Sequence, residues 1–183
     1  IFYIVYIKFL FLAFSILCYI YGLCYLFMLQ ILNLCYTQIR EIKGLGNLVN
    51  LQTLFLASTL LSKIKGLRNL VNLQKLHLGY TQIREIKGLG NLVNLQTLYL
   101  SVTKIREIKG LEKLVNLEKL YLNGTQISGI KGLETLVNLQ ALDLRNMPFD
   151  DLSPLLGLIR EGHKVSWDRY GTEKGFRLYN NPL

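Results

Sequence analysis

Cysteine, proline, tryptophan and histidine are all sparse in this chain of 183 residues: three, three, one and two respectively. The cysteines (Cys18, Cys24, Cys35) are odd in number and lack Cys-x-x-Cys spacing, so they describe neither a disulfide framework nor a zinc site. The two histidines, His77 and His163, stand in different settings. There is no His-Glu-x-x-His, no Gly-x-Ser-x-Gly and no phosphate loop ending in Gly-Lys-Ser or Gly-Lys-Thr. Metalloprotease, serine-hydrolase and nucleotide-triphosphatase chemistry therefore have no motif to stand on, and the sequence reading is of a non-enzyme without cofactor or metal. Acidic residues are also few, 12 against 21 Lys and Arg, which leaves a net charge of +9. That balance admits anionic partners but selects none. Charged residues make up 18% and apolar residues 51%, which excludes a disordered or acidic solvating chain.

What is abundant is leucine at a fixed period. The phrase Leu-Val-Asn-Leu begins at Leu48, Leu70, Leu92, Leu114 and Leu136, a spacing of 22 residues. Internal repetition of this length decides the fold before any local reading does. Within one unit, Leu98 and Leu100 alternate with Thr97, Tyr99 and Ser101, the pattern of a short strand buried on one face. Ile105, Ile108, Leu111 and Leu114 then recur every third residue, which suits 3₁₀-like turns better than an α-helix. One such unit cannot bury enough apolar surface to offset its ordering entropy. It is stable only when stacked on neighbours.

These residues resemble the leucine-rich repeat family, specifically its 22-residue class, as in internalins and the phosphatase-1 regulatory repeat protein. The family usually places Asn where this chain has Thr37, Thr59, Thr81, Thr103 and Thr125. The resemblance implies an α/β solenoid: a horseshoe with a concave parallel sheet and a convex side of 3₁₀ turns and loops. Six units of 22 residues are expected over 26–157, with a capping segment over 158–183. In that cap a helix is predicted after Ser153-Pro154, then two strands, Lys164 to Tyr170 and Phe176 to Tyr179, forming a hairpin. The stretch from Leu155 to Leu183 is also similar to the end of bacterial repeat arrays in Roco-type proteins.

Residues 9–29 carry no charge and are long enough to span a bilayer. Extending the 22-residue frame backwards, however, predicts aliphatics at positions where Ile1, Ile4, Ile7, Leu10, Leu12, Leu17, Ile20 and Leu23 stand. Residues 1–25 are accordingly read as a degenerate repeat, with a transmembrane or signal segment as the alternative.

Repetition also builds columns on the expected concave face. Phe55, His77, Tyr99, Tyr121 and Asp143 occupy one, flanked by Lys75 and Lys119 on one side and Arg145 on the other. Exposed aromatics of this kind anchor protein interfaces. A second ladder, Asn50 to Asn138, is read as turn-satisfying amides. A third, Lys43, Lys65, Lys87, Lys109 and Lys131, lies with Arg40, Arg84 and Arg106 and is interleaved by Glu41, Glu85 and Glu107. It is read as a solvated face, the alternative being a footprint for phosphate backbones or anionic membrane. No nucleic-acid motif supports that alternative. The expectation is a monomeric, cytoplasmic scaffold that binds a protein partner on its concave face. A membrane-anchored receptor, with a membrane contact through residues 9–29, and the regulatory arm of a larger Roco-like protein are the alternatives.

Overall fold

A computed structural model describes residues 29–148 and Ser153, together with the backbone of two C-terminal strands. Six three-residue strands recur every 22 residues: β1 (Ile31–Asn33), β2 (Thr53–Phe55), β3 (Lys75–His77), β4 (Thr97–Tyr99), β5 (Lys119–Tyr121) and β6 (Ala141–Asp143). Each pairs in parallel with the next, Leu32 beside Leu54 beside Leu76 and onward to Leu142. The result is one leucine-rich-repeat-like solenoid. Its core is a stack of identical layers. In the fourth unit Leu92, Leu95, Leu98, Leu100, Ile105 and Leu111 all have zero exposure.

The parallel ladder continues past the strands on both sides. Gln52 and Thr53 N–H groups both donate to the Gln30 carbonyl, at 2.8 and 2.9 Å. After the strand, Leu56 N–H donates to His77 C=O at 2.8 Å and Ser58 N–H to Gly79 C=O at 3.0 Å. Backbone groups that a three-residue strand would orphan are thus satisfied by the adjacent turn of the solenoid. Between strands, the leucines spaced three apart are carried by separate turns: Leu48 N–H donates to Leu45 C=O at 3.0 Å, and Leu51 N–H to Leu48 C=O at 2.9 Å. With three residues per turn, such bonds keep every third side chain pointing at the core, whereas α-helical winding would rotate them away. No α-helix occurs among the described residues, and the helix predicted after Ser153 lies outside them.

Two further strands, β7 (Val165–Ser166) and β8 (Gly175–Arg177), extend the sheet beyond β6 in the order β6-β8-β7. The sequence reading joined them as a hairpin, but they run parallel, Val165 beside Phe176, and β8 pairs with β6. The physical reason lies in the sheet edge. β6 offers open donors and acceptors already set in parallel register, and β8 satisfies them in that register. The remaining cap residues, and residues 1–28 with both readings of them, fall outside the described residues. Among the described residues no helix is long and apolar enough to cross a membrane.

Three columns govern how closely the turns approach. The threonines at 37, 59, 81 and 103 donate through Oγ1 to the carbonyl three residues earlier, at 2.7 to 2.8 Å. This is the role that a hydroxyl can take where the family has Asn. Thr125 is the exception: its Oγ1 is buried and makes no hydrogen bond. Just before each threonine the chain turns left-handed, at Tyr36, Ser58, Tyr80, Val102 and Gly124, with φ between 55° and 68°. Gly66, Gly88, Gly110 and Gly132 also have positive φ, and each sits against the previous unit. A Cβ on Gly110 would overlap the carbonyl oxygen of Ile86.

Two contrasts test this account. Gly110→Ala, strained in φ and colliding with backbone, is expected to lose about 1–3 kcal/mol or more. Gly129→Ala, with nothing within 4 Å of the new methyl, should be near neutral. Thr103→Val should cost about 1 kcal/mol, while Thr125→Val should cost nothing or stabilise. Chemical denaturation of the four variants measures both differences. Equal effects within either pair would overturn the corresponding assignment.

Candidate functional site

Strand alternation sends the middle residue of each strand into the core and the first and third to the outer face of the sheet. The third-residue column is where the sequence placed its aromatic anchors. Phe55, His77, Tyr99 and Tyr121 are all half-buried there, brought side by side by the 22-residue register. Their rings do not stand apart. His77 and Tyr99 stack at 4.7 Å with planes 14° apart, and Tyr99 and Tyr121 at 4.4 Å and 5°. Phe55 closes the row at 6.3 Å from His77, tilted by 41°. Both faces of Tyr99 are therefore covered, and the row offers ring edges and hydroxyls rather than open π faces.

Lys75 is exposed and Lys119 half-buried in the first-residue column, alternating with Thr97 and Ala141, which are buried. Asp143 ends the ring column but is not an open contact residue. It is 2% exposed, and its carboxylate takes a bidentate pair from Arg145: Nε at 2.8 Å on Oδ1 and Nη2 at 2.6 Å on Oδ2. Asp143 Oδ1 also accepts the Arg145 N–H at 3.2 Å. Arg145 is thereby held in one orientation at the end of the ring row, and Asp143 acts as its anchor.

Beside the strands runs a feature that the sequence reading only half caught. The Asn ladder does satisfy turn backbone: Asn72, Asn94, Asn116 and Asn138 each donate to a valine carbonyl of the preceding unit, at 2.8 to 3.0 Å. It also forms one wall of a groove of about 570 Å³, whose other wall is a second amide column, including Gln52, Gln74 and Gln96. The signal was present as Asn-Leu-Gln before four of the six strands, β2, β3, β4 and β6. Glu118 is the one charged residue in the lining.

Burial shifts three titratable groups among the described residues, in each case toward the neutral form. Burial pushes the Cys35 thiol up from its ordinary value, away from the thiolate form, against a smaller opposing effect from a backbone hydrogen bond with Ala57. Burial holds the His77 imidazole below its ordinary 6.5, and its Nδ1 accepts the Gly79 N–H at 3.4 Å. Burial, then the neighbouring Tyr121, raises the Tyr99 phenol. Among the described residues no group of three His, Cys, Asp or Glu could hold a metal ion.

A family model described as leucine rich repeats (2 copies) matches the chain three times, over residues 28–69, 71–113 and 115–157. No curated protein matches the chain. Among solved structures it is similar to internalin C2 of Listeria monocytogenes, with a TM-score of 0.73 and 29% identity. That match covers 85% of this chain and 64% of the other. An internalin, inlF, of the same organism aligns with a TM-score of 0.64 and 20% identity, over 85% of this chain and 48% of its own, a likeness of fold. The chain thus spans less than two thirds of the length of either.

The imidazole provides a pH test. The folded state resists protonating His77, whereas the unfolded chain takes the proton near pH 6.5. Stability is therefore unaffected by His77 above that value and falls as pH drops below it, until the folded imidazole also protonates. Melting at about pH 7.5 and about pH 5.5 should show a larger loss for the native chain than for His77→Phe. Equal losses would mean that the ring row does not bury this group.

Proposed function

The chain belongs to the leucine-rich repeat family, and from that membership we propose a non-catalytic scaffold that binds a protein partner on the outer face of its sheet. The observation that carries this reading is the continuous row Phe55, His77, Tyr99 and Tyr121, set on a rigid parallel sheet and flanked by Lys75, Lys119 and Arg145. Stacking and backbone pairing order these side chains before any partner arrives. Association then costs little of the rotamer entropy that loops must give up. Tyrosine and arginine are the residue types that most often dominate interface energies. The cationic flanks favour a partner surface that carries carboxylates.

The proposal takes the chain as a monomer, without a cofactor, whose binding face is the concave side of the horseshoe. It places the protein in the cytoplasm, where a free thiol such as Cys35 is at home. The internalin resemblance supports a role in interaction rather than catalysis, and goes no further than that class of function.

Affinity capture with the intact chain identifies the partner, and titration against variants tests the site. Tyr99→Ala is expected to weaken binding by about 2 kcal/mol or more, roughly 30-fold. Val115→Ala, on an exposed turn away from the rings, should leave binding unchanged. Both variants are first checked for native circular dichroism. A partner held equally by the intact chain and by a Phe55→Ala, Tyr99→Ala, Tyr121→Ala variant would remove the ring row from the interface.

A further inference from the structure

The positive charge of the described solenoid lies almost wholly on one side. In the loop segments 37–44, 59–66, 81–88, 103–110 and 125–132, ten Lys and Arg stand against three Glu, and all thirteen side chains are exposed. The rest of residues 29–148 holds five cations and four carboxylates. Two of the three glutamates are engaged within their own unit, Glu41 with Lys43 at 2.6 Å and Glu85 with Lys87 at 2.7 Å. At the position of those glutamates the second unit has Lys63 and the fifth has Gly129, so the carboxylate is lost at two of five rungs.

The face is also grooved. A hollow of about 330 Å³ lies between the third and fourth segments, lined by five cations, Arg84, Lys87, Lys104, Arg106 and Lys109, against two carboxylates, Glu85 and Glu107. A second, of about 510 Å³, continues from Arg106 and Lys109 to Lys131 over Gly129 and Gly132. The segments are tied to one another by backbone bonds, Gln82 N–H to Leu61 C=O at 2.9 Å and Lys104 N–H to Ile83 C=O at 2.8 Å, so the cations keep a fixed spacing.

We propose that this loop face docks a linear phosphate polymer without bases, lying across the repeats along the ladder Lys43, Lys65, Lys87, Lys109 and Lys131. Regularly spaced lysines act as point charges and match a chain of regularly spaced anions. The five segments contain no aromatic residue, and the exposed Tyr36 and Tyr80 that precede two of them have no counterpart before the other three, so the face offers no repeated platform for nucleobases to stack on. Leu60 is their single exposed large apolar side chain, too little to insert into a bilayer or to form the apolar centre of a protein interface. Charge neutralisation alone is left as the source of affinity, and it is enough for a polyanion.

The test is fluorescence anisotropy of the full chain with end-labelled long-chain inorganic polyphosphate across a salt series. Binding should be clear at low salt and fall linearly in log–log form as salt rises. Replacing Lys65, Lys87, Lys109 and Lys131 by Gln should lower affinity at least about 100-fold near 0.1 M salt and flatten the slope by about three to four. The four Lys→Arg replacements should restore it. Glu41→Gln, Glu85→Gln and Glu107→Gln together should tighten binding, a gain that no folding defect can imitate. Lys113→Gln, outside the five segments and the ring row, should leave polyphosphate binding unchanged. Three results overturn the proposal: no binding of the native chain at low salt, equal binding by the four-Gln variant, or tighter binding of single-stranded DNA of equal charge. Sedimentation with phosphatidylserine vesicles in the absence of polyphosphate binding would likewise overturn it in favour of a membrane.

Discussion

Everything in this solenoid depends on how near one turn can come to the last. At Gly66, Gly88, Gly110 and Gly132 the backbone of one unit lies where the previous unit's isoleucine carbonyl leaves no room for a Cβ. On the sheet side the parallel strands are held at the hydrogen-bonded spacing, about 4.7–4.9 Å. Between the two sides the leucines and isoleucines of successive units pack into one continuous buried core. Single units have no such closure, so the glycine column and the leucine columns are one requirement seen at two places.

The same pitch explains the outer face. Side chains in equivalent positions are brought to about stacking distance, and flat rings can lie face to face at that separation. The row from His77 to Tyr121 follows, with separations of 4.4 to 4.7 Å. Where the ring row stops, a carboxylate takes its place. Asp143 is buried there, and Arg145 pairs with it twice. Removing one partner of such a pair leaves an uncompensated buried charge, so Arg145 is fixed by structure before it is available to any ligand.

Much of this was legible in the sequence. The 22-residue frame gave the strands, their parallel register and the buried leucines, because each is a direct consequence of periodicity. The Asn ladder was legible for the same reason. The burial of Asp143 was not, since four of its five column mates are rings and strand spacing does not reveal that Arg145 pairs with its carboxylate. Mutual shielding of the rings escaped as well: alternation tells which face a side chain takes, not whether its neighbour covers it. The left-handed turn before each threonine is occupied by Tyr, Ser and Val, residues that give no conformational signal of their own. Gly124 and Asn146 in that column were the readable hint. In the cap, strand propensity identified β7 and β8 but could not tell an antiparallel hairpin from two strands joining an existing parallel edge.

Because Leu54 meets Leu76 as Leu76 meets Leu98, no turn carries a private address for its neighbour. Interior units are interchangeable parts. Adding or dropping one whole unit re-forms the leucine contacts of the core at the junction, while an indel that is not a multiple of 22 residues shifts the leucines out of frame. The array can therefore vary in length across generations by whole steps. Each step lengthens the amide groove and the lysine ladder together, so the reach of the molecule is inherited as a count of repeats rather than as a new design.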